Sequence, residues 1–371
     1  MASRSIATPL AWAFALMIAY ASLYPFAGWS GSGLTLADIL SAPIPRYWTW
    51  FDVIANWLGY VPLGFLVAWV LMKRIGGLPA VALAAVVCSG LSLSLEWAQS
   101  WLPRRVPSNV DWLLNSTGGL IGAALALLLF RVHWLEKVDR WRQYQVVSGA
   151  KSALVLLALW PAAVLYPASV PFGLGQFRER LGAWFPGFPG FDGVTIGGEV
   201  YLSGLTNWVL ASPPPLSLYG EILAMTLAVA APCLLAMTAA RTQKGRWIAA
   251  VAVLLVAIMM GFVSGVLTFG PERAAAWWRP GVSQALLLTT LVMFIVSTLP
   301  RGWLVAGLIV ALLGSLYLLN VSGPPAYLDQ SLLIWEQGRF IRFHGVSKWF
   351  GWLWPILVLF YAFDQLRKNR A

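Results

Sequence analysis

The chain is 371 residues long, 59% hydrophobic and only 11% charged. Soluble domains carry about 25% charged residues, so a water-soluble enzyme of this size is excluded and the length is better divided into bilayer spans than into globular domains. The net charge of +11 would suggest nucleic acid in a soluble protein, but no basic run exceeds two residues (Lys73-Arg74, Arg104-Arg105, Arg367-Lys368), which argues against a nucleic-acid partner.

A helix needs about 20 mostly apolar residues to cross the hydrocarbon. Runs of that kind predict spans near residues 8–27, 52–72, 78–101, 111–130, 152–171, 219–240, 247–270, 281–299, 303–320 and 347–363. The predicted fold class is therefore all-α, a polytopic membrane bundle of about ten helices, with the last span the shortest and kinked at Pro355. In the first run, Ala19-Tyr20-Ala21 resembles a small-residue cleavage site. It falls inside an apolar stretch long enough to span, so a retained helix is expected. The 22 tryptophans, many at the ends of these runs, suit the headgroup boundary.

With the N-terminus in the cytoplasm, the inner segments hold 15 of the 25 basic residues and three of the 14 acids. Their excess is +12 and everything else sums to −1, so the basic excess reads as topology, with both termini cytoplasmic. The two cysteines, Cys88 and Cys233, lie inside apolar runs, and neither a disulfide nor a metal site is expected of them.

The longest inner connection, 131–151, divides four helices (1–131) from six (152–371). An outer loop at 172–218 is rich in Gly, Pro and aromatics. In it Phe177, Leu181 and Trp184 have the spacing of a short helix lying on the membrane surface, or of a plain connecting loop.

Two stretches share one pattern: Asp52, Asn56 and Gly59, then Asp111, Asn115 and Gly118. In each, the Asp, Asn and Gly fall within about 60° of one helix face, which suggests two hairpins built on one plan. The plain reading makes Asp52 and Asp111 N-caps and Asn56 and Asn115 interhelical hydrogen bonders, with Gly59, Gly118, Gly119 and Gly122 admitting close helix contact.

The third span adds Ser89, Ser92, Glu96 and Gln99, an arc of about 80° on an otherwise apolar helix. A carboxylate there must be paired, protonated or facing water. The connection that follows carries Arg104 and Arg105 between Pro103 and Pro107. One reading is an ion pair that locks this hairpin. The other is an outward-facing polar pocket where Arg grips phosphate or carboxylate and a desolvated Glu96, its pKa raised, acts as acid or base.

These residues resemble the VanZ-like membrane proteins. The resemblance runs through Asn56, Gly59-Tyr60-Val61-Pro62-Leu63-Gly64-Phe65, Glu96-x-x-Gln99, Arg105-x-x-Ser108-x-x-Asp111-x-x-x-Asn115 and Gly118-Gly119, within residues 8–130. It implies a multi-pass protein of the bacterial cytoplasmic membrane, related to one linked to resistance to the glycopeptide teicoplanin. Motif membership passes to Asn56, Pro62, Gly64, Glu96, Gln99, Arg105, Asp111, Asn115 and Gly118. The family's chemistry is unsettled, so no catalytic role passes with it. The six further helices depart from compact members.

In the second half, Trp335 to Gly345 lies just outside the predicted last span and contains Glu336, Arg339, Arg342 and His344. It reads as an interfacial anchor or as a secondary headgroup site. The expected partners are membrane lipids, with a lipid-linked cell-wall precursor or a glycopeptide in the polar pocket; no cofactor is expected. An alternative is a membrane-embedded enzyme on lipid phosphates with Glu96 as acid/base, although HExxH, GxSxG and Asp-rich metal motifs are missing. A transporter is less favoured, since the repeat is parallel and its polar groups lie near the outer boundary.

Overall fold

The computed structural model describes residues 7–24, 26, 28–30, 34–44, 50–103, 105–133, 144–147, 150–178, 194–196, 199–201, 213–337 and 341–368. The chain divides into two compact units, Met1–Trp141 and Arg142–Ala371.

The first unit contains α1 (Ala7–Leu23), a single-turn α2 (Leu36–Leu40), α3 (Trp50–Ile75), α4 (Gly77–Gln99) and α5 (Asn109–Arg131). Helices α3 and α5 form its most extensive contact, and α4 and α1 pack against them. The α3/α5 approach is set by glycines. A Cβ on Gly122 would fall 1.9 Å from the Val61 carbonyl oxygen, and one on Gly64 would fall 2.0 Å from that of Gly119. Gly118 similarly faces Trp57, whereas Gly59 has nothing within 4 Å and plays no part in the close approach that its motif position suggested. Small residues let backbones meet, so dispersion and weak Cα–H···O contacts replace the hydrophobic driving force that lipid does not supply.

The second unit contains α6 (Lys151–Ala163), a two-stranded antiparallel hairpin of β1 (Val194–Ile196) and β2 (Glu199–Tyr201), then α7 (Leu218–Ala239), α8 (Gln243–Phe269), α9 (Val282–Val296), α10 (Arg301–Val321), α11 (Ala326–Gln337) and α12 (Ile341–Lys368). Helix α7 is the centre: every residue from Ala228 to Ala239 is buried, and α6, α8, α9 and α10 pack around it. Serine and threonine N-caps open α5, α7 and α8, where Ser108, Ser217 and Thr242 accept the amides of Asp111, Gly220 and Gly245. These side chains satisfy amides that lack an intrahelical partner.

Apart from the hairpin, the described regular structure is helical, and an apolar helix stands at each of the ten predicted spans. Seven are long and apolar enough to cross a membrane; α1, α6 and α9, with 17, 13 and 15 residues, are shorter. Their outward faces are apolar. On α9, Leu287, Leu291 and Ile295 are all more than half exposed, a stripe that suits acyl chains rather than water.

The C-terminal region differs from expectation in two ways. The last helix, expected to be the shortest, is the longest at 28 residues and continues through Pro355, because residues 341–346 form its first turns instead of a separate segment. Residues 326–337 form α11, so Trp335 is not an interfacial anchor. It is 1% exposed, and its indole N–H donates to Thr268 Oγ1 at 2.9 Å. In the predicted surface helix, Leu181 and Trp184 lie outside the described residues.

Candidate functional site

Most of the described polar side chains singled out in the first unit gather at one end, where α1 and α4 finish and α3 and α5 begin. Glu96 on the last turn of α4 is 4% exposed, and its Oε2 accepts the Ser108 amide at 2.8 Å. Ser108 is the N-cap of α5, so the Glu96 carboxylate lies at the positive end of that helix. Asp111 is therefore not the cap. It stands three residues further on, and its carboxylate accepts Asn56 Nδ2 at 2.9 Å, joining α3 to α5. The Ser-x-x-Asp spacing of Ser108 and Asp111 was the sequence signal for this cap.

Deeper along the same seam, Asn115 donates to Ser92 Oγ at 3.0 Å and Trp112 Nε1 to Ser89 Oγ at 3.0 Å. Ser89, Ser92 and Glu96 of the predicted arc thus lie on the face that α4 turns toward α5 and its N-cap. Asn115 is 6% exposed, and its Oδ1 has no hydrogen-bond donor among the described residues. The repeated Asp/Asn pattern does not yield equivalent pairs: Asn56 reaches Asp111, whereas Asn115 reaches α4.

Gln99 and Arg105 turn to the end of α1. Gln99 Nε2 donates to Ser22 O at 3.1 Å, and Arg105 Nη2 donates to Ala21 O and Tyr24 O at 3.2 and 2.7 Å. Tyr24 and Phe26 amides take the Tyr20 and Leu23 carbonyls. All four carbonyls that α1 leaves open are thereby satisfied, with two cationic hydrogen bonds at the negative end of its dipole.

Arg104 and Arg339 lie outside the described residues. Asp52 is in the first turn of α3, Glu336 near the end of α11, and Arg342 and His344 at the start of α12; their side chains are likewise outside the described residues. Among the described residues no group of three or more His, Cys, Asp or Glu is placed to hold a metal. Tyr60, a motif residue given no role from the sequence, is 4% exposed, and its hydroxyl lies within electrostatic reach of Ser92 and Glu96.

In the second unit the structure adds residues that sequence reasoning passed over. Asn320, near the end of α10, accepts the amides of Phe177 and Arg178 at 2.7 and 3.0 Å and donates to Gly175 O and Leu316 O, both at 2.8 Å. It fixes a loop that turns through positive φ at Phe172 and Gly175. A single asparagine within an apolar run was the only signal.

Long apolar helices with outward apolar faces and a few buried polar seams define a polytopic helical membrane protein. Residues 8–131, a third of the chain, match the VanZ/LLP1 family, and the matched segment falls within the first unit described above. Comparison with curated proteins and with solved structures gives no match.

Proposed function

We propose that the chain is a multi-pass protein of the bacterial cytoplasmic membrane whose VanZ-like unit binds the polar part of an amphiphilic or lipid-linked cell-wall molecule beside Glu96 and Asn115, changing envelope properties and susceptibility to teicoplanin. The observation that carries this reading is the Asn115 Oδ1. A buried acceptor without a donor costs about 1–3 kcal/mol, and a hydroxyl or amide of a bound molecule would relieve that cost. Glu96 lies on the same seam as a second acceptor.

The second reading is a latch. The capture of carbonyls at the end of α1 by Gln99 and Arg105 favours it, because those bonds tie α1 to α4 and to the connection that follows α4 whether or not anything binds. No described contact favours the lipid-phosphate enzyme or the transporter.

Teicoplanin susceptibility of a strain carrying the native gene, Asn115→Ala, Glu96→Gln or no gene separates the two. The binding reading expects the native gene to alter susceptibility and Asn115→Ala to abolish the effect at an unchanged melting temperature. If the native gene leaves susceptibility unaltered, the resistance role is lost. If the native effect survives Asn115→Ala, and Glu96→Gln only lowers the melting temperature, the latch is correct.

A further inference from the structure

At the end of the second unit where α8 and α10 begin and α9 and α12 finish, two half-buried arginines meet. Arg246 Nη1 donates to Ser297 O and Leu299 O at 3.0 and 2.7 Å, which clamps the α9–α10 connection to α8. Arg301, the first residue of α10, donates from Nη2 to Gln365 Oε1 near the end of α12 at 3.1 Å. The two guanidiniums are within electrostatic reach of each other. Among the described residues neither makes an ion pair, and Asp364, the one acid of α12, pairs with Lys368. Arginine cannot shed its proton in a protein, so two such charges side by side call for an anion from outside the chain.

Both Nε atoms are buried without an acceptor. Arg246 Nη2 and Arg301 Nη1 also lack one among the described residues, but they reach the surface, where a ligand can meet them. Open backbone donors lie beside them. The N-cap of α10 is Pro300, which gives no side-chain bond. The Trp303 and Leu304 amides take the Pro300 carbonyl, and those of Arg301 and Gly302 have no acceptor among the described residues. A Cβ on Gly302 would meet nothing within 4 Å, so an external group can approach them. Leu299 and Trp303, either side of Arg301 in the chain, are exposed, and an exposed tryptophan at a helix end suits the headgroup boundary.

We propose that Arg246, Arg301 and the open amides of α10 bind the phosphate of an anionic phospholipid whose acyl chains run beside Leu299 and Trp303. Arginine presents a planar fork suited to phosphate oxygens, and an anion is favoured at the positive end of a helix. The bonds to Ser297, Leu299 and Gln365 hold both guanidiniums before anything binds, so little ordering is required. The basic segments joined here are among those whose excess set the predicted inner side, and basic recesses between helices on that side suit anionic headgroups. No residue of 8–131 enters the site, so it stands apart from the reading of the VanZ-like unit.

The test is binding to the purified full-length protein in neutral detergent, read by thermal unfolding during titration with short-chain phosphatidylglycerol, phosphatidylcholine of the same chains or inorganic phosphate. Phosphatidylglycerol is expected to raise the unfolding temperature saturably and phosphatidylcholine to act far more weakly. Gly302→Asp places a carboxylate beside Arg301 in open space and so supplies the counter-charge from within. It should weaken the phosphatidylglycerol response on the order of tenfold, the size of one charge-assisted hydrogen bond, as should Arg301→Gln. Gly302→Asn, of equal size but neutral, should weaken it far less. If inorganic phosphate alone saturates the native protein at similar concentrations and Gly302→Asp abolishes this, the lipid is overturned and the occupant is a free phosphate. Equal responses to the two lipids, an unaltered Gly302→Asp response, or equal weakening by Gly302→Asp and Gly302→Asn would overturn the site. Should Arg301→Gln lose cooperative unfolding, the two Gly302 variants decide by the same outcomes.

Discussion

Replacing Gly122 by alanine isolates the contact on which the first unit depends most. The new Cβ would sit 1.9 Å from the Val61 carbonyl oxygen, 2.8 Å from its carbon and 2.9 Å from the Phe65 nitrogen. Carbon and oxygen tolerate about 3.3 Å, so α3 and α5 must part by roughly 1.4 Å. All three obstacles are backbone atoms and cannot rotate aside. Overpacking costs about 1–3 kcal/mol, and a forced backbone separation lies at the upper end. Against it stands a helix-propensity gain of at most about 1 kcal/mol for alanine over glycine. The expected net loss is about 2 kcal/mol, or roughly 4–8 °C in unfolding temperature for a unit of this size. Gly59→Ala is the control, because nothing lies within 4 Å of its Cβ and only the propensity gain remains. Cys88 is wholly buried in this unit, and the other thiol, Cys233, is buried in the second. Thiol labelling during heating in a Cys233→Ala background therefore reports this unit alone. The reasoning is refuted if Gly122→Ala exposes Cys88 no earlier than the parent, or if Gly59→Ala exposes it equally early.

Three further outcomes are expected. Arg105→Lys keeps the charge but loses the guanidinium that bridges Ala21 O and Tyr24 O, so the unit should lose about 1–3 kcal/mol and hydrogen exchange should quicken at the C-terminal turn of α1; unchanged exchange would contradict the carbonyl accounting. Asn320→Leu strips acceptors from the Phe177 and Arg178 amides, and exchange at those two amides should rise before the rest of the unit opens. The Asp38 carboxyl is held below the ordinary carboxylate range by the Thr35 amide and hydroxyl, so its contribution to α2 is fully present above the unfolded carboxylate pKa and is lost as pH falls through the lowered value. Amide exchange in α2, corrected for intrinsic rates, should therefore rise on acidification in the native protein, and Asp38→Asn should remove that pH dependence.

Much of the fold was legible because the bilayer imposes a local rule. An uncharged run of sufficient length must be helical to satisfy its own backbone, and that rule needs no knowledge of neighbours. It failed at the last helix, where Arg342 and His344 suggested a break, because a helix continues beyond the hydrocarbon once nothing stops it. It also missed α11, whose buried Leu328 and Trp335 are spread over a mixed-polarity segment.

The polar residues of the first unit stood out in the sequence, but the contacts that each makes did not. Glu96, Asp111 and Arg105 were conspicuous because charge is scarce, and sequence proximity suggested that they serve one another. Among the described contacts are the Ser108 amide to Glu96, the Asn56 amide group to Asp111 and Arg105 to the carbonyls of α1. Orphan backbone groups at helix ends compete for these side chains, and they carry no sequence signature.

The sequence by itself determined the helical class, the approximate place of the apolar helices and which family the first third resembles, since hydropathy and motif spacing are properties of adjacent residues. Only the tertiary structure decided which glycines meet a backbone, which acceptor each polar group finds and that Arg178 is buried. Those outcomes depend on how helices rotate and approach, and they join residues as far apart as Asn56 and Asp111 or Gly175 and Asn320.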